Sequence, residues 1–469
     1  MYKHVLCVYP YRRELGRSSF YPPLGLEFIA AAIKPYAREI DVIDLRKESG
    51  HTTDFLRPET DLVCFSVNWD RDAEFVRQEI RSVPPGIPTI LGGRHATEDP
   101  ELWLRECPNV DVVVRGDGED AVSEFCQGKP LGRIAGISYR KDGGLAHTPF
   151  RKAVALRDDL YPDRRLRRYT YTAANSGIAI DSVAASRGCP YNCTFCSFSR
   201  NPWGEKRAWA ARSPESVARE LSEIKAQIVG FTDDNFAFDL ERVGQLCDII
   251  KARGIRKKYI VNARIEIARR PDILRKMEQA GFAALLLGIE SANDKTLRSM
   301  RKGFDTAKIR EYFQVLSKTS MWLHGYFIIG SIGESEEEIL KIGPFARELG
   351  LDSLGLSMLR SSPYSGLDEL VASCAGYHVA PNGKIFSEHI SLERLAQLRR
   401  RITHQFYTPG RVFRIFRKGC RNGLLRFLPT LLPRIPVICW DAARHSWRRR
   451  AKRRTRHQAV TAGRLASGA

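Results

Sequence analysis

Residues 186–196 read Ser186-Arg187-Gly188-Cys189-Pro190-Tyr191-Asn192-Cys193-Thr194-Phe195-Cys196. Three cysteines at Cys-x3-Cys-x2-Cys spacing on one short loop suit three irons of a [4Fe-4S] cluster and leave the fourth iron open to a small molecule. Electron-transfer clusters are ordinarily held by four Cys ligands, so the vacancy points to a cluster that acts on a ligand. Zinc is the competing reading, but structural zinc sites close with four ligands. The nearest later cysteine, Cys247, falls in a helix-like segment.

The loop follows the first of six apolar segments, 178–185, 228–232, 259–265, 284–289, 324–330 and 353–359. Helical patterns at 214–226, 240–253, 271–280, 306–319 and 334–349 separate them. Six β/α units predict a partial (β/α)6 barrel over 178–360, whose active site lies at the carboxyl ends of the strands. The cysteines follow the first strand, as that rule requires. The same rule nominates Asp233 and Asp234 after the second strand, Arg264 and Glu266 after the third, and Glu290 after the fourth. It also nominates Gly330 and Glu334 after the fifth and Arg360 after the sixth. Within the fifth strand, His324 and Tyr326 are candidates to face a substrate as proton or hydrogen donors, with a strand-end His bonded to backbone as the plainer reading.

Upstream, residues 1–130 alternate strands (4–9, 39–44, 61–67, 88–93, 110–115) with helices (24–36, 71–82). This alternation predicts a doubly wound parallel sheet, which binds ligands at its carboxyl edge. Glycine-rich turns stand there: Gly92-Gly93-Arg94-His95 and Arg115-Gly116-Asp117-Gly118-Glu119. Residues 131–177 read as a linker containing a hairpin at 137–148. Residues 361–440 read as mainly helical and 441–469 as a basic, disordered tail.

The chain of 469 residues carries a net charge of +21. From Arg399 onward there are 19 Lys/Arg against one acid, Asp441, so +18 of that charge lies in the last 71 residues. The body is nearly neutral, and a nucleic-acid argument concerns the tail alone. Apolar, aromatic and basic residues together in 424–440 also suit an anionic membrane surface, although this stretch is too broken by Pro429, Pro433 and Pro436 to span a bilayer. The start, Met-Tyr-Lys-His-Val-Leu, opens directly into a strand without a signal-peptide pattern. The expected setting is the reducing cytoplasm, including the inner membrane face, where an exposed cluster survives.

The cysteine loop resembles that of the radical S-adenosylmethionine (SAM) enzymes. Pro22-Pro23-Leu24-Gly25-Leu26, Leu91-Gly92-Gly93-Arg94-His95 and Val114 through Glu119 resemble markers of the cobalamin-binding domain fused to many of them. The resemblance covers about residues 1–360. It implies a [4Fe-4S] cluster on Cys189, Cys193 and Cys196, with SAM on the open iron cleaved to a 5′-deoxyadenosyl radical. Phe195, Asp233, Asp234, Arg264, Glu290 and Gly330 would surround SAM. Phe195 would lie beside the adenine, and Arg264 would pair with the carboxylate. Gly92, Gly93, Arg94, His95, Gly116, Gly118 and Glu119 would receive cobalamin. No Asp-x-His occurs in the chain, so the cobalt would have no protein His ligand.

The implied activity is methylation of an unactivated carbon of an apolar or natural-product-like substrate, with electrons from a flavodoxin- or ferredoxin-type reductant. An oxidative cyclase or rearrangement enzyme like the anaerobic magnesium-protoporphyrin monomethyl ester cyclase is the alternative, on a lipid or tetrapyrrole. An RNA-modifying methylthiotransferase is a minor one, because it needs a second cluster on N-terminal cysteines and here only Cys7, Cys64, Cys107 and Cys126 are at hand.

Overall fold

The computed structural model describes residues 1–12, 21–70, 72–151, 156–173, 177–196, 208–361 and 365–422. Its first sheet contains β1 (Tyr2–Tyr9), β2 (Ala37–Asp44), β3 (Thr60–Ser66), β4 (Thr89–Gly92) and β5 (Val112–Val114), parallel and in the order β2-β1-β3-β4-β5. Helices α1 (Leu24–Ile33), α2 (Ala73–Arg81), α3 (Arg94–Glu98), α4 (Pro100–Glu106) and α5 (Glu119–Cys126) connect the strands. Val5, Leu6, Cys7 and Val8 of β1 are all fully buried, as expected for a strand covered on both faces. Cys7 and Cys64 sit opposite one another in the β1–β3 register, inside this core. They fill space there, so the methylthiotransferase alternative loses the N-terminal cysteines it would need.

One expected boundary changes. The hairpin β6 (Ile137–Lys141) and β7 (Gly144–His147) is not part of a free linker: it continues the first sheet beyond β5 in antiparallel fashion. Only the segment after it connects the domains. Arg167 bridges to Val42 of β2, and Thr172 bridges to Ala179 beside the second sheet. The connector thus covers an edge of each sheet that would otherwise present unpaired backbone.

The second sheet has six parallel strands in sequence order: β8 (Ile180–Val183), β11 (Ile228–Phe231), β12 (Lys258–Ala263), β13 (Phe282–Glu290), β14 (Trp322–Ile329) and β15 (Ser353–Met358). A short antiparallel pair, β9 (Ser186–Arg187) and β10 (Ala210–Ala211), brackets the cysteine loop. The helices are α6 (Pro214–Glu223), α7 (Leu240–Ala252), α8 (Pro271–Ala280), α9 (Asp294–Ser299), α10 (Thr306–Leu316), α11 (Glu336–Leu340) and α12 (Ile342–Glu348). Their starts are written in the sequence. Ser213, Asp239 and Asp305 each accept a backbone N–H three residues on, and Ser335 with Glu338 forms a reciprocal capping box. This is the open barrel that the β/α alternation predicts.

Beyond the barrel come α13 (Leu367–Ala372), a small hairpin of β16 (Tyr377–Val379) and β17 (Ile385–Ser387), α14 (Leu392–Phe406) and α15 (Pro409–Arg421). The region expected to be mainly helical therefore also contains a hairpin. Leu395, Leu398, Ile402 and Phe406 form the buried stripe of α14. Helix α15 crosses the amino-terminal rim of the barrel. Lys418 Nζ meets Asp352 Oδ2 at 2.7 Å ahead of β15, and Lys258 Nζ at the start of β12 donates to Asn422 O at 2.7 Å. Its outer face exposes Val412, Phe413 and Phe416. The predicted features of 424–440 and 441–469 lie outside the described residues. Among the described residues no helix is long and apolar enough to cross a membrane.

Candidate active site

The cysteine loop is gripped on both sides of Gly188. Asp233, 1% exposed at the end of β11, accepts from Ala185 N at 3.0 Å and from Ser186 Oγ at 2.5 Å. Burial raises its pKa to about 6. Asp234 accepts from Gly188 N at 2.9 Å. Gly188 has φ +81°, and a Cβ there would lie 2.5 Å from the carbonyl oxygen of Ala208. Only glycine fits a left-handed residue in that contact. The two aspartates expected near SAM thus hold the loop in this structure.

Cys189, Cys193 and Cys196 are half-buried. Burial, with the two neighbouring thiols, pushes Cys189 above its ordinary pKa. Arg264 Nη1 lies 3.7 Å from Cys193 Sγ. The guanidinium stacks on Tyr191 at 3.7 Å, pairs with Glu266 (Nη2–Oε1 2.8 Å) and donates to the Lys302 carbonyl. The Arg264 expected to meet the SAM carboxylate is therefore largely engaged beneath the loop. Among the described residues no three His, Cys, Asp or Glu side chains converge on a single ion. Zinc, with Zn–S distances of about 2.3 Å, demands such convergence. A four-iron cube sets its thiolates farther apart, so the donor set fits the cluster better.

Beside the loop stands a buried pair that joins the expected Glu290 to Lys302, a residue absent from the sequence-based candidates. Lys302, 3% exposed, places Nζ 3.2 Å from Glu290 Oε1, and its ammonium lies 5.8 Å from the Phe195 ring. Glu290 closes β13 at φ +73°, a strained conformation for a residue with a side chain. A Cβ on Gly288 would lie 2.7 Å from Glu290 Oε1, so Gly288 leaves the room this carboxylate uses. Phe195 packs on the cluster of Leu359, Leu367, Val371 and Ile385. Gly330, φ +79°, donates its N–H to Glu334 Oε2 at 2.9 Å. Glu334 Oε1 is buried without a partner, and burial raises this carboxyl to about 7.

Strand alternation sorts the inner wall of the barrel. A Cβ on Gly325 would meet Leu351 and Ile289 in the helix-facing core. Its neighbours Tyr326 and His324 therefore face the interior. Tyr326 is registered between Gly288 and Gly355 on the adjacent strands and is 38% exposed. His324 Nδ1 lies 2.8 Å from Ser353 Oγ, which also accepts from Trp322 Nε1 at 2.7 Å. His324 is thus bonded to a side chain, not to backbone as in the plainer reading, and burial lowers its pKa. Tyr21 of the first domain approaches from the other side, where its hydroxyl would lie 2.7 Å from a Cβ on Gly230. No local signal in the sequence marked Lys302 or Tyr21.

In the first domain the two glycine turns come together. Gly92 ends β4. Gly93 has φ +101°, and Gly116 (φ +93°) donates its N–H to Thr97 Oγ1 at 3.2 Å. Arg94 Nε pairs with Glu98 Oε1 at 3.0 Å, and His95 packs edge-on against Trp103 at 5.7 Å. A Cβ on Gly118 would approach Ile29 to 3.0 Å. Glu119 pairs with Arg187. A Cβ on Gly93 would lie 2.5 Å from the Val67 carbonyl oxygen, so these turns need glycine for the close packing of their own backbone at the carboxyl edge of the sheet.

Comparison with known proteins decides between the possible owners of this arrangement. Residues 183–344 match the radical SAM superfamily, and residues 17–126 match the B12 binding domain. The chain joins a B12-binding domain to a radical SAM domain. An uncharacterized methyltransferase of Pyrococcus horikoshii is 29% identical over 370 residues, 76% of this chain and 78% of that protein. The anaerobic magnesium-protoporphyrin IX monomethyl ester cyclase of Rubrivivax gelatinosus is 28% identical over 63% of this chain, but the match spans only 55% of the cyclase. The radical SAM methyltransferase TsrM from Kitasatospora setae, solved with cobalamin and a [4Fe-4S] cluster, superposes with a TM-score of 0.65 at 16% identity, over 86% of this chain and 82% of that one. This B12-binding radical SAM enzyme uses a [4Fe-4S] cluster, SAM and cobalamin, and it requires a reductant and a small-molecule substrate.

Proposed function

We propose that this enzyme methylates an unactivated carbon of an apolar small molecule held inside the barrel. The observation that carries the reading is the shared compartment. Tyr21 of the B12-binding domain and Tyr326 and His324 of the barrel converge on the same interior, beside Glu290, Lys302 and the cysteine loop. Cys189, Cys193 and Cys196 would hold the cluster, and the turns at Gly92–His95 and Gly116–Glu119 would receive cobalamin. When bound, these groups supply a radical source and a methyl donor.

The chain's own side chains set the remaining conditions. Tyr326, flanked by two glycines, offers a flat wall and a hydroxyl to a substrate. Burial lowers the His324 pKa and so favours its neutral ring. Trp322 donates to Ser353 Oγ, so the Ser353 hydroxyl can donate to His324 Nδ1 and leave Nε2–H as a donor. The His324 and Tyr326 rings stand edge to face, 4.6 Å between centroids, and add apolar surface to this wall.

The cyclase relative favours a second reading, oxidation or ring closure of a tetrapyrrole or lipid. Anaerobic turnover of candidate substrates with methyl-labelled SAM separates the two. Labelled product with both S-adenosylhomocysteine and 5′-deoxyadenosine supports methylation. Product with 5′-deoxyadenosine alone supports the cyclase-like reading. We further propose a flavodoxin- or ferredoxin-type reductant, a cytoplasmic setting and peripheral contact with anionic membrane. The exposed Val412, Phe413 and Phe416 on α15, beside Arg414 and Arg417, support the last of these.

A further inference from the structure

We infer that Arg187 couples the two cofactor sites, so that a cluster on the cysteine loop tightens the binding of cobalamin by the first domain. Arg187 lies in β9, two residues ahead of Cys189. Its guanidinium leaves the barrel and reaches the glycine turn of the other domain: Nη2 meets Glu119 Oε1 at 2.5 Å, and Nη1 meets Asp117 Oδ1 at 3.3 Å. It also stands over the ring of Phe28 on α1, 5.0 Å from the centroid.

The neighbours of Arg187 are fixed as firmly. Ser186 Oγ donates to Asp233, and Gly188 N donates to Asp234. Three consecutive residues before the first cysteine are therefore each held by carboxylates, two sets from the barrel and one from the B12-binding domain. Gly188 cannot accept a side chain without moving the backbone of Ala208. Filling the cysteine loop fixes Cys189, and little freedom remains between Cys189 and Arg187. A fixed Arg187 in turn orders Asp117 and Glu119, which flank Gly118 in the turn that would receive cobalamin. A ligand that meets an already ordered turn loses less entropy on binding.

The coupling is reciprocal by linkage: what the cluster does for cobalamin, cobalamin does for the cluster. This goes beyond the choice between methylation and cyclisation, and rests only on both cofactors sharing one chain.

The test is equilibrium binding of hydroxocobalamin to the full-length protein under anaerobic conditions, with and without the reconstituted cluster. In the unaltered protein the cluster should lower Kd at least about fivefold, the lower end of ordinary allosteric couplings. In Arg187→Met the ratio of the two Kd values should fall close to one. A purely structural role would weaken both Kd values alike and leave their ratio unchanged, which would overturn the inference. So would a ratio near one in the unaltered protein. If neither form binds hydroxocobalamin, the two-cofactor reading falls as well, whereas binding with no difference removes this inference alone. Should Arg187→Met not fold, Arg187→Lys carries the test: it keeps the charge but cannot bridge both acids, so the ratio should shrink, and an unchanged ratio overturns the proposal.

Discussion

Arg167→Met should destabilise the protein by about 3–5 kcal/mol, the range for breaking a buried ion pair from one side. Arg167 makes four side-chain hydrogen bonds. Nε and Nη2 meet the Glu27 oxygens at 2.5 and 2.6 Å, and Nη1 and Nη2 meet those of Asp181 at 2.6 and 2.9 Å. The two acids do not suffer equally. Asp181 keeps Arg164, whose Nε lies 3.1 Å from Oδ2. Glu27, on α1 of the first domain and 4% exposed, loses its partner. Methionine retains most of the stem volume, so the cavity contribution is small.

The penalty should depend on pH. Burial already holds the Glu27 pKa above its ordinary value, against the pull of Arg167. Without the arginine it rises further, and the folded state keeps a proton that the unfolded chain has released. Stability then falls as pH rises through that window, so the deficit against the unaltered protein should narrow on going from pH 7 to pH 5. Urea unfolding of the cluster-free protein at both pH values measures it, and Glu27→Gln in the same background should recover most of the loss. A deficit below about 1 kcal/mol at pH 7, where an exposed pair would lie, would refute the reasoning. So would a deficit that widens at pH 5.

Three further outcomes are expected. Gly188→Ala forces a left-handed alanine, costing roughly 1–2 kcal/mol before the clash with Ala208 is counted. Iron per chain after reconstitution should therefore drop, and cobalamin should bind only as tightly as it does to the cluster-free unaltered protein. Glu334→Gln should flatten stability against pH. The native carboxyl, raised to about 7, makes the folded state proton-richer than the unfolded one and so lowers stability as pH rises between about 4.5 and 7. Denaturant midpoints across that range check it. Phe413→Ser with Phe416→Ser should weaken binding to vesicles rich in phosphatidylglycerol by roughly tenfold or more, since each ring contributes on the order of 1.5 kcal/mol when buried. Co-sedimentation gives the answer, and unchanged binding would remove α15 from the membrane reading.

The parts legible in the sequence were those written in short range. The cysteine spacing, the glycine turns and the alternation of strand and helix each depend on neighbours within a few residues, and helix starts such as Ser213 and Asp239 carry their own caps. What escaped notice depends on partners far apart in the chain. Glu27 and Arg167 are 140 positions apart, and no periodicity joins them. Lys302 reads as one cation among many until β13 brings Glu290 beside it. Asp233 and Arg264 were legible as strand-end residues, yet position alone could not say that their hydrogen bonds are taken up by the loop. The hairpin at 137–148 was visible as a hairpin. Its place at the edge of the first sheet was not, because strand pairing is chosen by which edge is open.

Glu290 has a consequence for how this chain can change. Its backbone sits at φ +73°, which glycine would adopt more easily, while its carboxylate neutralises a lysine that has almost no access to water. Glycine would relax the first condition and abandon the second. Glutamine would keep the shape and leave the ammonium unneutralised. Aspartate, more tolerant of the left-handed region, would fall short of Lys302. No single exchange satisfies both demands, so the position has no gentle exit, and a lineage wishing to leave it must alter Lys302 first.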